Sequence, residues 1–283
     1  MSYPTVNGPN GLLPTNLIGG RQFAGSTRMI PIASAYATSM YFGDPVKFTS
    51  DGTLITSGLA YNSAATETGG TLGIFMGCEY STPAGPIFGK NRFQKWTGGT
   101  VAPDAVAYVC DDPYVVMKGV MIAYNASATP VVGCAPALAL GTNLTPMATA
   151  TANTGTTSGN LVGDSSVGLM LASGNVRRTT TAPFRIVGFN EETRLLVAVT
   201  GTTTNASTAV TLASADSRIK TGMLVTGTGI AAGTVVAAVS GTSVTLSANA
   251  TASGTVTLTF DGYQEVLVKW NAGYHAYENA VAI

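Results

Sequence analysis

The chain contains a single histidine, His275, in the C-terminal stretch Trp270-Asn-Ala-Gly-Tyr-His-Ala-Tyr277. Imidazole titrates near neutrality and serves as general base or metal ligand, so a Ser-His-Asp relay here would have to use this one residue. No Gly-x-Ser-x-Gly elbow accompanies it, and no second histidine is present to share a metal. A lone histidine among aromatics near a chain end reads as a packed surface residue. The acidic pairs carry little more. Neighbouring residues on a strand point to opposite faces, so Asp111-Asp112, followed by Pro113, reads as a turn, with a cation site as the sharper alternative. Glu191-Glu192 reads as another connection. Gly227-Thr228-Gly229 resembles a fragment of a phosphate loop but lacks the following Lys-Ser/Thr. Arg177-Arg178 and the Lys90/Arg92 pair are too sparse for the phosphate neutralisation that drives nucleic-acid binding.

Three cysteines, Cys78, Cys110 and Cys134, are an odd number without metal-ligand spacing. Their apolar neighbours predict buried free thiols. No catalytic, cofactor-binding or metal-binding residue is assigned, and no cofactor is expected. The expectation is that the protein is not an enzyme.

These residues sit in an unusual background. Charged residues make up 10% of the 283 positions and the formal net charge is zero, against roughly 25% charged in ordinary soluble domains. No basic field is available for nucleic acid. With 45% hydrophobic residues, the chain has material for a core, which argues against disorder. The exception is 148–159, which reads as a mobile loop. The N-terminus lacks a basic region followed by an apolar core, so no signal peptide is expected. On that ground the sequons at Asn125, Asn143, Asn205 and Asn249 are discounted.

Thr221–Phe260 has no charged residue, yet its apolar runs are too short for a membrane span of about 20 residues. It alternates instead. Val244 and Leu246 oppose Ser243, Thr245 and Ser247; Val256, Leu258 and Phe260 oppose Thr255, Thr257 and Thr259. That period of two predicts half-buried antiparallel strands. Further strands are predicted across Gly70–Tyr80, Ala105–Cys110, Tyr114–Ala123, Val131–Cys134, Thr180–Phe189 and Gln264–Trp270. Asp51-Gly52 marks a hairpin between Val46–Phe48 and Leu54–Ile55, and Met29–Phe48 reads as strand, turn at Gly43-Asp44-Pro45, strand. Ala213–Thr221 is one helical turn or a loop. Met1–Gly25 reads as an extended arm in which Pro4, Pro9 and Pro14 forbid regular structure, while Leu12, Leu13, Leu17 and Ile18 suggest that it lies on something. The fold class is all-β: a barrel or sandwich main domain from 1–195 plus 261–283, with a small Ig-like β module at 196–260, inserted or appended.

Several blocks resemble the head decoration, or capsid cement, proteins of tailed bacteriophages. They are Ile30–Leu54 (IPIASAYATSMYFGDPVKFTSDGTL), Leu72–Gly85 (LGIFMGCEYSTPAG), Phe93–Pro113, and the pair APFRIVGF and YQEVLVKWNAGYHAYENAVAI. Val210–Phe260 separately resembles an Ig-like module of phage virion proteins. The resemblance implies a protein on the outer capsid surface of the virion, assembled in the host cytoplasm, trimeric near three-fold positions and clamping neighbouring major capsid protein subunits. Expected partners are therefore the major capsid protein and copies of the chain itself, with neither nucleic acid nor membrane. The alternative is a tail or fibre component, or a host-surface adhesion module.

Overall fold

A computed structural model describes residues 9–17, 23–57, 70–82, 89–124, 130–132, 140–141, 143–148, 163–171, 182–190, 193 and 196–278. Every regular element among them is a strand, and the strands form three sheets. The protein is all-β, as its β-branched, glycine-punctuated composition predicts.

The first sheet contains β1 (Leu13–Leu17), β8 (Val115–Tyr124), β9 (Pro130–Val132), β10 (Asn143–Ala148), β11 (Val167–Leu171), β12 (Phe184–Phe189) and β19 (Glu265–Trp270). The circuit β8-β11-β10-β12-β19 returns to β8 and closes a five-stranded barrel. Closure removes the free edges that an open sheet exposes. Strand β8 makes this possible because it is long and apolar. Its first half pairs with β1 and β19, and its second half pairs in parallel with β11. Met117, Met121, Leu169, Phe184, Val266, Val268 and Trp270 fill the interior.

The second sheet holds β2 (Arg28–Pro31), β3 (Pro45–Phe48), β4 (Leu54–Thr56), β5 (Thr71–Tyr80), β6 (Asn91–Phe93) and β7 (Val106–Cys110). Its order is β2-β7-β5-β3-β4, with β6 on β5, and a parallel bridge from Ile32 to Leu54 draws the outer strands together. Phe75, Leu72, Met40, Val109 and Trp96 form its core. The predicted Asp51-Gly52 hairpin is present. Phe48 lies opposite Leu54, and Gly52 takes the positive φ of 75° that the turn needs. Ile74 and Cys110 belong instead to the barrel core, so β5 and β7 contribute side chains to both cores at once.

The third sheet comprises β13 (Leu196–Thr203), β14 (Ala209–Leu212), β15 (Leu224–Thr226), β16 (Val236–Ser240), β17 (Ser243–Leu246) and β18 (Gly254–Asp261), in the order β15-β18-β13-β14-β17-β16. All its pairings are antiparallel. A bridge from Leu224 to Val235 joins its two outer strands, so the sheet rolls around Val197, Val210, Val244, Leu258 and Phe260. Val244 and Leu246 are buried while Ser243, Thr245 and Ser247 are exposed, the alternation visible in the sequence. The whole sheet lies in the chain between β12 and β19, which pair directly with each other in the barrel.

Some expectations change. The N-terminal arm is not free of regular structure, since β1 includes Pro14 and pairs with β8. Proline is tolerated because β1 is an outer strand of this sheet and its pairing breaks register between Pro14 and Asn16. Met29–Phe48 is not two long strands. After β2 the chain turns repeatedly, making isolated bridges at Ile32, Met40 and Phe42 and backbone hydrogen bonds between Gly43 or Asp44 and Phe75 before β3. For Ala213–Thr221, expected as one helical turn or a loop, the structure shows the loop, made of bends and turns. Residues 149–162, Cys134, Arg177-Arg178 and Glu191-Glu192 lie outside the described residues.

Candidate functional site

A group of titratable and aromatic side chains surrounds the C-terminal turn after β19. Asn271 anchors its start: its backbone N–H donates to the Pro183 carbonyl at 2.8 Å and its Nδ2 to the Ala182 carbonyl at 3.1 Å. Gly70 N–H then donates to Tyr274 O at 3.1 Å, and Ala276 N–H to Thr71 O at 2.9 Å, so the turn joins β5 as an added bridge at Thr71 and His275.

His275 is fully buried, not at the surface as its lone position in the sequence suggested. Its ring meets Trp270 edge-on at 5.5 Å and Tyr277 at 5.0 Å. Trp270 in turn packs on Phe184 in the barrel core at 4.5 Å, while Ala276 packs on the core of the second sheet. The turn therefore touches the cores of both the barrel and the second sheet. His275 Nδ1 accepts the Tyr277 backbone N–H at 3.2 Å, and Nε2 has no partner in hydrogen-bonding geometry. Burial holds the imidazole pKa below its ordinary value, against weaker upward pulls from Glu278, Asp111, the Leu72 backbone and Asp112.

Beyond the histidine the cluster reaches solvent. Tyr277 donates its phenol to Asp111 Oδ2 at 2.5 Å, and Arg28 Nε pairs with the same oxygen at 2.9 Å. The Arg28 guanidinium also lies 5.4 Å from the centre of the Tyr277 ring. Burial, followed by the bond to Asp111, pushes the Tyr277 phenol up to about 12. Asp112 is used separately, its Oδ1 accepting the Tyr114 N–H at 2.8 Å. The two aspartates thus serve different partners, as a turn would have them. Among the described residues no group of three or more His, Cys, Asp or Glu side chains could hold a metal ion.

A second polar centre lies where the N-terminal arm, the β3 entry and the β11 entry meet. Ser165 Oγ donates to Asp44 Oδ1 at 2.5 Å, and Tyr41 N–H donates to Oδ2 at 2.8 Å. Burial raises the Asp44 pKa from 3.8 to about 6, against the lowering effect of both hydrogen bonds. Beside it Gly11 and Gly43 cross so closely that a Cβ on Gly11 would lie 2.8 Å from the Gly43 Cα. The sequence marked Asp44 only as a turn residue. Its partner is 121 positions away, and no local pattern announces such a contact.

A third centre closes the neck of the third sheet. Glu265 pairs with Lys118 Nζ at 2.8 Å and accepts from Asn190 Nδ2 at 2.9 Å, while its backbone N–H donates to Thr193 Oγ1 at 3.0 Å. The remaining sequence candidates have structural employment. Lys90 Nζ donates to the Asp104 carbonyl, and Arg92 lies over Tyr108 near Glu79. Gly227 packs where a Cβ would come within 2.8 Å of Leu258, and Gly229 has a φ of 78°. Cys78 and Cys110 are buried free thiols whose pKa burial raises to about 12. No helix among the described residues is long and apolar enough to cross a membrane.

No protein family, curated protein or solved structure matches the chain.

Proposed function

We propose that the protein is a non-catalytic structural component of a bacteriophage virion that decorates the outer capsid surface and cements neighbouring major capsid protein subunits. The observation that carries this reading is the Arg28–Asp111–Tyr277 cluster. On a chain with 10% charged residues and zero net charge, it presents a half-exposed tyrosine against an arginine. Tyr114, three residues beyond Asp111, is also exposed. Tyrosine and arginine are the side chains that most often anchor protein interfaces, and low charge suits the core of such a contact. The resemblance of the strand-forming blocks to capsid cement proteins points the same way.

The mechanism is multivalent. Each contact is modest, but an oligomer engaging several capsid subunits gains through effective concentration. Binding only to the assembled lattice stabilises that lattice by mass action. A homotrimer at three-fold positions fits this role.

The test mixes purified protein with expanded capsids that lack it, followed by co-sedimentation and heating. Saturable binding at a fixed ratio per capsid subunit, with raised heat resistance of the heads, is the expected result. Absence of binding to heads would overturn the proposal and favour a tail or host-adhesion role.

A further inference from the structure

We propose that His275 is an acid-sensitive latch: protonation of its ring releases the C-terminal turn from β5 and from Asp111, loosening the clasp between the barrel and the second sheet. This proposal concerns the isolated chain and does not depend on the capsid reading.

The geometry assigns the tautomer. Nδ1 accepts the Tyr277 N–H, so in the neutral ring the proton sits on Nε2. Adding a proton can only occupy Nδ1, where it faces another donor. The Tyr277 hydrogen bond is then lost, and a charge is created on a ring that is fully buried between Trp270 and Tyr277. Breaking that bond frees the residue whose phenol holds Asp111 and whose ring faces Arg28. It also strains the neighbouring Ala276-to-Thr71 bond.

The surrounding charges bear on the outcome. Asp111 and Asp112 follow β7, Glu278 lies on the turn itself, and all three favour the cation. Arg28, on β2, is ion-paired to Asp111. From β5 and β19 come only backbone groups near Thr71 and Leu72 and the Trp270 indole. Burial is the largest influence and opposes the charge. The closed turn thus favours the neutral ring: its contribution is present above the ordinary histidine value of 6.5 and is lost as pH falls through the lowered one.

The experiment follows amide hydrogen exchange of the full chain by NMR, corrected for intrinsic rates, from about pH 7.5 to about pH 5, alongside the His275 ring shifts. Protection of the Ala276 and Tyr277 amides should fall roughly tenfold or more in step with ring protonation, while the Val199 and Leu258 amides of the third sheet keep theirs. In His275→Asn, whose side-chain oxygen can accept the Tyr277 N–H but cannot be protonated, the turn should remain protected at the acid end. Should that variant fail to fold, the wild-type comparison decides alone. Ring protonation without loss of Ala276 and Tyr277 protection overturns the latch. An equal loss in His275→Asn also overturns it and assigns the acid response elsewhere.

Discussion

Tyr277 and Asp111 are 166 residues apart, yet the phenol of one donates directly to the carboxylate of the other. That single bond ties the last described turn to the end of β7, and Arg28 of β2 completes the group. Three distant segments of the second sheet and its surroundings are thereby held at one half-exposed corner.

Tyr277→Phe should keep the ring and its packing on His275 while removing the donor. Because the site is partly open to water, the expected loss is about 1 kcal/mol or less. Urea unfolding of the variant and wild type at neutral pH measures it. Tyr277→Ala, which also removes the ring, should cost more.

Asp44 predicts a pH dependence. Its folded-state value of about 6 lies above its ordinary 3.8, so folding favours the protonated acid. Its contribution is fully present below about pH 4 and is lost as pH rises through about 6. Asp44→Asn can still accept from Tyr41 N–H and share a hydrogen bond with Ser165, without the buried charge. It should therefore exceed wild type above pH 6 by on the order of 1 kcal/mol. Denaturant midpoints across the acid range check this, and equal pH profiles would defeat it.

Gly11→Ala should be severe. Residue 11 has a φ of 83°, and the new methyl would meet Ser165 Cβ at 2.7 Å and Gly43 Cα at 2.8 Å. Left-handed strain and overpacking against backbone together should cost about 3 kcal/mol or more, read as a fall in the thermal midpoint.

Leu258→Ala removes a fully buried side chain from the third sheet and should cost that sheet about 2–5 kcal/mol. Trp96 and Trp270 belong to the other two cores. Early loss of β signal in circular dichroism with unchanged tryptophan fluorescence is the expected pattern. Coincident loss of both signals would show that the third sheet does not unfold separately.

Cys78 and Cys110 should resist a thiol reagent at about pH 8, since burial has raised both to about 12. In a Cys134→Ser background the native protein should react only on unfolding, when two thiols appear.

The sequence by itself determined the β class, the Asp51-Gly52 hairpin and the strands of the third sheet. Those features depend on local rules: alternation with a period of two, a glycine that accepts positive φ, and turns between apolar runs. The burial of Val244, Leu258 and Phe260 against exposed Ser243 and Thr257 follows from spacing alone. Tertiary structure decided what spacing does not encode. Whether β8 returns to β19 and closes a barrel depends on strands more than a hundred residues apart. So does the survival of Pro14 in β1, which lies on the outer side of β8 with a break in register on its own strand at Thr15. His275 and Asp44 make the same point for single side chains. Each looks like an ordinary turn or surface residue until Trp270 and Tyr277, or Ser165, are packed against it. Burial of a lone polar group is a property of its surroundings, and those are assembled only when distant segments meet.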